Sequence, residues 1–166
     1  MPDICHELVI GASAEKIYHA ITSQEGLSAW WTPDTKAESE PGNVIRFSFG
    51  PDYFKEMKIT EHKPFQQVTW FCIKGAEEWV GTTISFELRP VDKEDKSNSH
   101  TELKDQLEQQ RNKNERTLLI FHHENWIDYT SMFAECSYTW ALFLRSLKLL
   151  CETGKGRPWP SQHSIT

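Results

Sequence analysis

The sequence predicts an α+β fold: a curved antiparallel sheet wrapped around a long C-terminal helix, with two short helices after the first strand. Three observations carry this. Several segments alternate apolar and polar residues with a period of two, as strands do in a sheet with one wet face. From Phe133 to Glu152 the chain runs without Gly or Pro, and Cys136, Trp140, Phe143, Leu144, Leu147 and Cys151 fall on one helical face. At 166 residues the chain suits one domain, 1–166, so sheet and helix are expected to share a core.

Ile4 to Ile10 reads as the first strand, with Ile4, His6, Leu8 and Ile10 on one face. Gly11-Ala12 interrupts it. Ser13 is suited to cap a helix, with Glu15 in the first turn where the helix dipole favours it, and Ile17, Ala20 and Ile21 form the buried stripe. Ser23 offers a second cap. Leu27, Trp30 and Trp31 follow, and Thr32-Pro33 ends that helix. Strands are then expected over Asn43–Phe49, Tyr53–His62, Gln67–Ile73, Gly81–Arg89 and Arg116–His123, with Gly50-Pro51-Asp52 and Lys63-Pro64 as breaks. Gly154 is a natural end for the long helix, and Pro158 forbids its continuation. Burying four large side chains of that helix contributes roughly 6 to 12 kcal/mol, at about 1.5 to 3 each. This rivals the net stability of a whole domain. The helix must therefore pack on the concave side of the sheet.

Asp92 to Glu115 stands apart. It is nearly all polar and charged, with only Leu103 and Leu107 at helical spacing. It has room for a helical turn or two but no apolar stripe with which to dock, so a mobile hairpin insert is expected.

Composition excludes some roles. The net charge is -6, and no basic stripe appears that would contact phosphates, so no nucleic acid is expected as partner. No apolar run approaches the about 20 residues needed to span a bilayer. Met1–His6 lacks a basic-then-apolar pattern, so no secretory signal is expected. Cys5, Cys72, Cys136 and Cys151 are scattered, as expected of reduced thiols in a cytoplasmic protein. Seven tryptophans and nine phenylalanines point to an aromatic core or an aromatic-lined cavity.

A family resemblance rests on Ala14-Glu15-Lys16-Ile17-Tyr18-His19-Ala20-Ile21-Thr22, Leu27-Ser28-Ala29-Trp30-Trp31-Thr32-Pro33, Pro64 with Val68-Thr69-Trp70, and Thr82-Thr83-Ile84-Ser85-Phe86-Glu87-Leu88. At the end, Trp140, Phe143-Leu144-Arg145-Ser146-Leu147-Lys148 and Gly154-Lys155-Gly156-Arg157-Pro158 match best. In order and spacing these segments resemble the START-like superfamily. Within it they resemble the group named after the activator of heat-shock protein 90 ATPase. The resemblance implies the helix-grip fold and covers nearly everything but the charged insert. It says less about function, because lipid carriers, hormone receptors, cyclases and cochaperones share this scaffold.

The candidate ligand-binding residues are those expected between sheet and helix: Trp30, Trp31, Phe47, Phe49, Trp70, Phe86, Phe121, His123, Trp140, Phe143, Leu144 and Leu147. Of the neighbours Trp30 and Trp31, one can face inward and the other a rim as the gate or wall of a pocket, against the plainer expectation of core packing and an aromatic plug. A dry void of about 300 Å³ would cost on the order of 7 kcal/mol, so side chains, water or a ligand must fill the space. His123 shares the parity of Leu119 and Phe121. That places it at the cavity mouth as a group that bonds a ligand or titrates, against the plainer expectation of a satisfied core histidine. In His122-His123-Glu124 the two imidazoles point to opposite faces, so no metal site is expected.

No nucleophile motif or phosphate-binding glycine loop appears, and neither catalytic residues nor a cofactor are expected. Three functions remain: non-enzymatic binding of a small apolar or aromatic molecule, a cochaperone-like protein-interaction module, and a hydrolase or cyclase using the same pocket. The partners allowed for are a small apolar ligand, a chaperone and a second copy of the chain.

Overall fold

A computed structural model describes residues 1–37, 43–91 and 101–165. Strand β1 (Ile4–Ile10) leads into helices α1 (Ala14–Thr22) and α2 (Gln24–Trp30). Strands β2 (Asp34–Ala37), β3 (Val44–Ser48), β4 (Phe54–Lys63), β5 (Gln67–Lys74) and β6 (Thr83–Pro90) follow. Helix α3 (Thr101–Gln109), strand β7 (Thr117–Glu124) and helix α4 (Ser131–Thr153) complete the order. The strands make one sheet, β1-β7-β6-β5-β4-β3-β2, and every neighbouring pair is antiparallel. Two register shifts in β4, at Glu56/Met57 and Ile59/Glu61, add the local twist that curves the sheet.

The caps form where expected. Ser13 Oγ accepts from Lys16 N–H at 3.1 Å and Ser23 Oγ from Gly26 N–H at 3.0 Å. Thr130, a cap that was not anticipated, starts α4 two residues before Phe133 by accepting from Phe133 N–H at 3.1 Å. Gly154 closes α4 in the left-handed region at φ 85°, donating its N–H to Leu150 C=O. Trp140, Phe143, Leu144, Leu147 and Cys151 are buried against the concave face, in a core shared with Ile17 and Leu27 of the short helices.

Two elements depart from expectation. Strand β2 was not anticipated. It has four residues, follows a proline and buries only Thr35, so alternation has almost nothing to act on; pairing with β3 makes it a strand. Within the charged insert, 92–100 lie outside the described residues, but 101–109 form a helix that docks. It docks through polar groups instead of an apolar stripe, which corrects the expectation that it would not dock. Gln106 Oε1 accepts from Val9 N–H at 2.8 Å, and Gln110 Nε2 donates to the Glu152 carboxylate at 3.2 and 3.3 Å. β1 is an edge strand, and α3 satisfies a backbone donor on its free side.

After α4 the chain turns back across α2. Arg157 N–H donates to Ser146 Oγ at 2.6 Å, Ser146 Oγ–H to Trp30 C=O at 2.8 Å, and Trp159 N–H to Trp31 C=O at 2.8 Å. Gly156 permits this approach, since a Cβ there would lie 2.5 Å from the Ala29 carbonyl oxygen. The crossing brings Trp159 and Gln162 to the N-terminal half of α4.

Candidate functional site

Most of the space between α4 and the sheet is filled by rings. Trp31 stacks on Trp70 at 5.9 Å and Trp30 at 5.9 Å, and packs against Phe47 at 4.2 Å and Trp140 at 5.0 Å. Trp70 meets Phe86 at 5.1 Å, Phe86 meets Phe121 at 5.3 Å, and Phe121 meets Trp140 at 4.5 Å. Trp30 and Trp31 are both fully buried, as the plainer expectation of core packing had it, and Trp30 Nε1–H donates to Ala20 C=O at 2.8 Å.

A cavity of about 340 Å³ remains at one end, under the N-terminal half of α4. Trp31, Phe49, Trp140 and Phe143 line it, as does Trp79 from the β5–β6 connection. Met132, Cys136 and Thr139 of α4 form its roof, and Trp159 and Gln162 of the C-terminal tail close one side. Exposed Tyr53 and Glu135 stand at its rim. The dry-void penalty does not apply to a space that meets solvent. Of the twelve residues expected around a ligand, the structure brings Trp31, Phe49, Trp140 and Phe143 to this wall. Trp30, Phe47, Trp70, Phe86, Phe121, Leu144 and Leu147 lie behind it in the filled core.

His123 is in the core, as the plainer expectation of a satisfied histidine had it, which corrects its place among the residues expected to line the cavity. Its ring lies 4.6 Å from Trp79 and 4.7 Å from Trp126. An indole nitrogen only donates, so Trp140 Nε1–H gives its proton to His123 Nδ1 at 3.1 Å. Nδ1 is then the bare acceptor and Nε2 carries the hydrogen, donating to Thr82 Oγ1 at 2.8 Å. Thr82 passes the chain on to Trp79 C=O at 2.6 Å. Burial, reinforced by the Lys55 charge, pushes the imidazole pKa down to about 3. It stands neutral with both nitrogens occupied. His122 points to the other face, 3.8 Å from Glu124, and among the described residues no three His, Cys, Asp or Glu side chains gather as a metal set.

Lys55 is the residue that sequence reading passed over. It sits on β4 with 6% exposure and lines the cavity. The turn at Gly50-Pro51-Asp52 folds β3 back into β4, and Phe49 N–H donates to Tyr53 C=O at 2.8 Å, so both rings flank Lys55. Its Nζ is 3.9 Å from the centre of the Trp79 ring, 4.3 Å from Phe49, 4.7 Å from Tyr53 and 5.8 Å from Trp31. Burial lowers its pKa to about 8, opposed by the Cys136 and Cys72 thiols. The same burial raises Tyr53 to about 12 and Cys72 to about 11. A signal was present: Lys55 shares the parity of Met57 and Ile59, so strict alternation points it inward.

The profile of the family described as "Activator of Hsp90 ATPase homolog 1-like protein" matches residues 11–152. The chain belongs to that family. Among solved structures, this family member is similar to the Aha1 dimer from Colwellia psychrerythraea, at 36% identity and a TM-score of 0.73, over 94% of this chain and 100% of that one. A conserved protein of unknown function from Enterococcus faecalis is 20% identical with a TM-score of 0.63, over 92% and 72% of the two chains. A Bacillus halodurans protein is 16% identical with a TM-score of 0.62, over 92% and 98%. The last two likenesses concern the fold alone. No curated protein matches the chain. The fold is the helix-grip α+β architecture of this family, and among the described residues no helix is long and apolar enough to cross a membrane.

Proposed function

We propose that this domain is a binding protein, not an enzyme, and that it takes a small apolar or aromatic molecule into the cavity under the N-terminal half of α4. One observation carries this reading: about 340 Å³ walled by Trp31, Phe49, Trp79, Trp140, Phe143 and Trp159. That is within the range of small-molecule sites, and flat rings offer dispersion contact to a flat guest. Native mass spectrometry and thermal-shift screening against a panel of aromatic and lipid molecules test it. A ligand at about 100 times its Kd should raise Tm by about 5–10 °C. Thr139→Phe, which fills the cavity from α4, should abolish the shift while leaving the fold intact. Uniform failure of a broad panel would remove the reading.

The family description supports a second reading, a cochaperone module acting on Hsp90. Ile127 and Tyr129, exposed in the β7–α4 connection, offer apolar surface for it. Added to Hsp90, the domain should raise its ATPase rate, and Ile127→Ser with Tyr129→Ser should lessen the effect. An unchanged rate removes that partner. The similar dimer also suggests a homodimer for this chain; a monomer mass in light scattering at all concentrations would dismiss it. Catalysis finds no such support, since both His123 nitrogens are engaged in the core.

A further inference from the structure

Lys55 is an ammonium enclosed by rings. Tyr53 flanks it from the turn just before β4, Cys72 on β5 and Cys136 on α4, while His123 on β7 is held neutral. Burial raises the pKa of Tyr53 and of both thiols, so these neighbours stay uncharged at neutral pH. Glu135 is exposed on α4 at the rim and makes no ion pair with Lys55. Among the described residues Nζ makes neither an ion pair nor a hydrogen bond. Ring faces attract a cation but accept no strong hydrogen bond, and an ammonium that meets water only through the cavity calls for an anion. This one lines a cavity large enough to bring the anion in.

We propose that the cavity selects apolar, aromatic-bodied molecules carrying one carboxylate, and that the Lys55 ammonium receives that carboxylate while the surrounding rings hold the body. This rests on the ligand-binding reading above and narrows it to a chemical class. The anion completes a charge-assisted hydrogen bond that the protein leaves open, taking the place of water in the cavity. Tyr53, still protonated, has a phenolic hydrogen to offer at the rim. Gln162 contributes a buried, unpaired Oε1 on another wall, an acceptor for a hydroxyl or N–H on the same guest.

The test uses the full chain and two probes of equal shape, 4-phenylbenzoate and 4-phenylbenzamide, titrated by calorimetry. The carboxylate should bind about 10- to 100-fold tighter than the amide, the span expected of a charged hydrogen bond. The preference should fade above about pH 8 as Lys55 loses its proton. Lys55→Met, of similar length, should erase the preference while keeping the amide's affinity. Lys55→Arg should retain the preference, which guards against a Met variant that fails to fold. Equal affinity for both probes in the wild type, or a preference that survives in Lys55→Met, would overturn carboxylate selection and leave the pocket reading standing. Failure of both probes and of the whole aromatic panel would remove the pocket reading and this proposal together.

Discussion

At the scale of the residue, His123 shows how partners decide a charge. Burial, with the Lys55 charge beside it, makes the native state exclude the proton that the unfolded chain binds at an ordinary pKa near 6.5, and Nδ1 stays free as the acceptor for Trp140. The folded pKa is depressed, so the unfolded state holds more protons between about pH 6.5 and 3, and stability falls as pH falls through that window. At about pH 5 the expected loss is about 2 kcal/mol relative to neutral pH. His6, also lowered by burial, adds in the same direction. Denaturant melts from pH 7 to pH 5 measure this, and His123→Gln should flatten most of the slope although it starts less stable. The parity of His123 on β7 was legible in the sequence, and so was that of Lys55 on β4. Parity names the face of the sheet. It does not say whether another side chain already occupies the space beyond, which is why His123 could be read toward a mouth as well as into the core.

At the scale of the element, α4 was the most legible, because its apolar face repeats at helical spacing and Gly154 closes its end. α3 was the least, since it docks by a few polar contacts that leave no hydrophobic period. Glu152 is the hub: it accepts from Gly11 N–H at 2.8 Å and from Gln110, and pairs with Lys148 at 2.9 Å. Lys148 Nζ in turn donates to Val9 C=O. Glu152→Leu should cost about 1–3 kcal/mol, because it strands donors that are partly removed from water. Gln106→Ala should cost less, about 0.5–1.5 kcal/mol, and should specifically speed hydrogen exchange at the Val9 amide. Unchanged exchange there would show that α3 does not protect the β1 edge. Gly156→Ala should destabilise the tail crossing, since the added Cβ meets backbone oxygen that cannot give way.

At the scale of the whole molecule, the rings do two jobs in adjoining regions. Behind Trp31 and Trp140 they close into a packed core; in front of them they leave a space. Leu147→Ala lies in the filled region and should cost about 2–5 kcal/mol in a urea melt, with little direct effect on a ligand. Thr139→Phe lies over the space and should change stability far less while blocking the ligand. If both variants weakened folding equally, the division between core and cavity would be wrong.

Periodicity and turn chemistry in the sequence alone determined a one-sided antiparallel sheet, the caps at Ser13, Ser23 and Gly154 and the burial of α4, because a strand or helix must hide whichever face is apolar, and the family resemblance implied the helix-grip arrangement. They also assembled the aromatics that meet between sheet and helix. Only the tertiary structure decided where those aromatics close and where they part. That outcome depends on ring angles, on the β4 bulges and on a tail brought back over α2 through Gly156, none of which leaves a period in the chain. The same closure turned an inward lysine into a caged, unpaired cation and an inward histidine into a satisfied one.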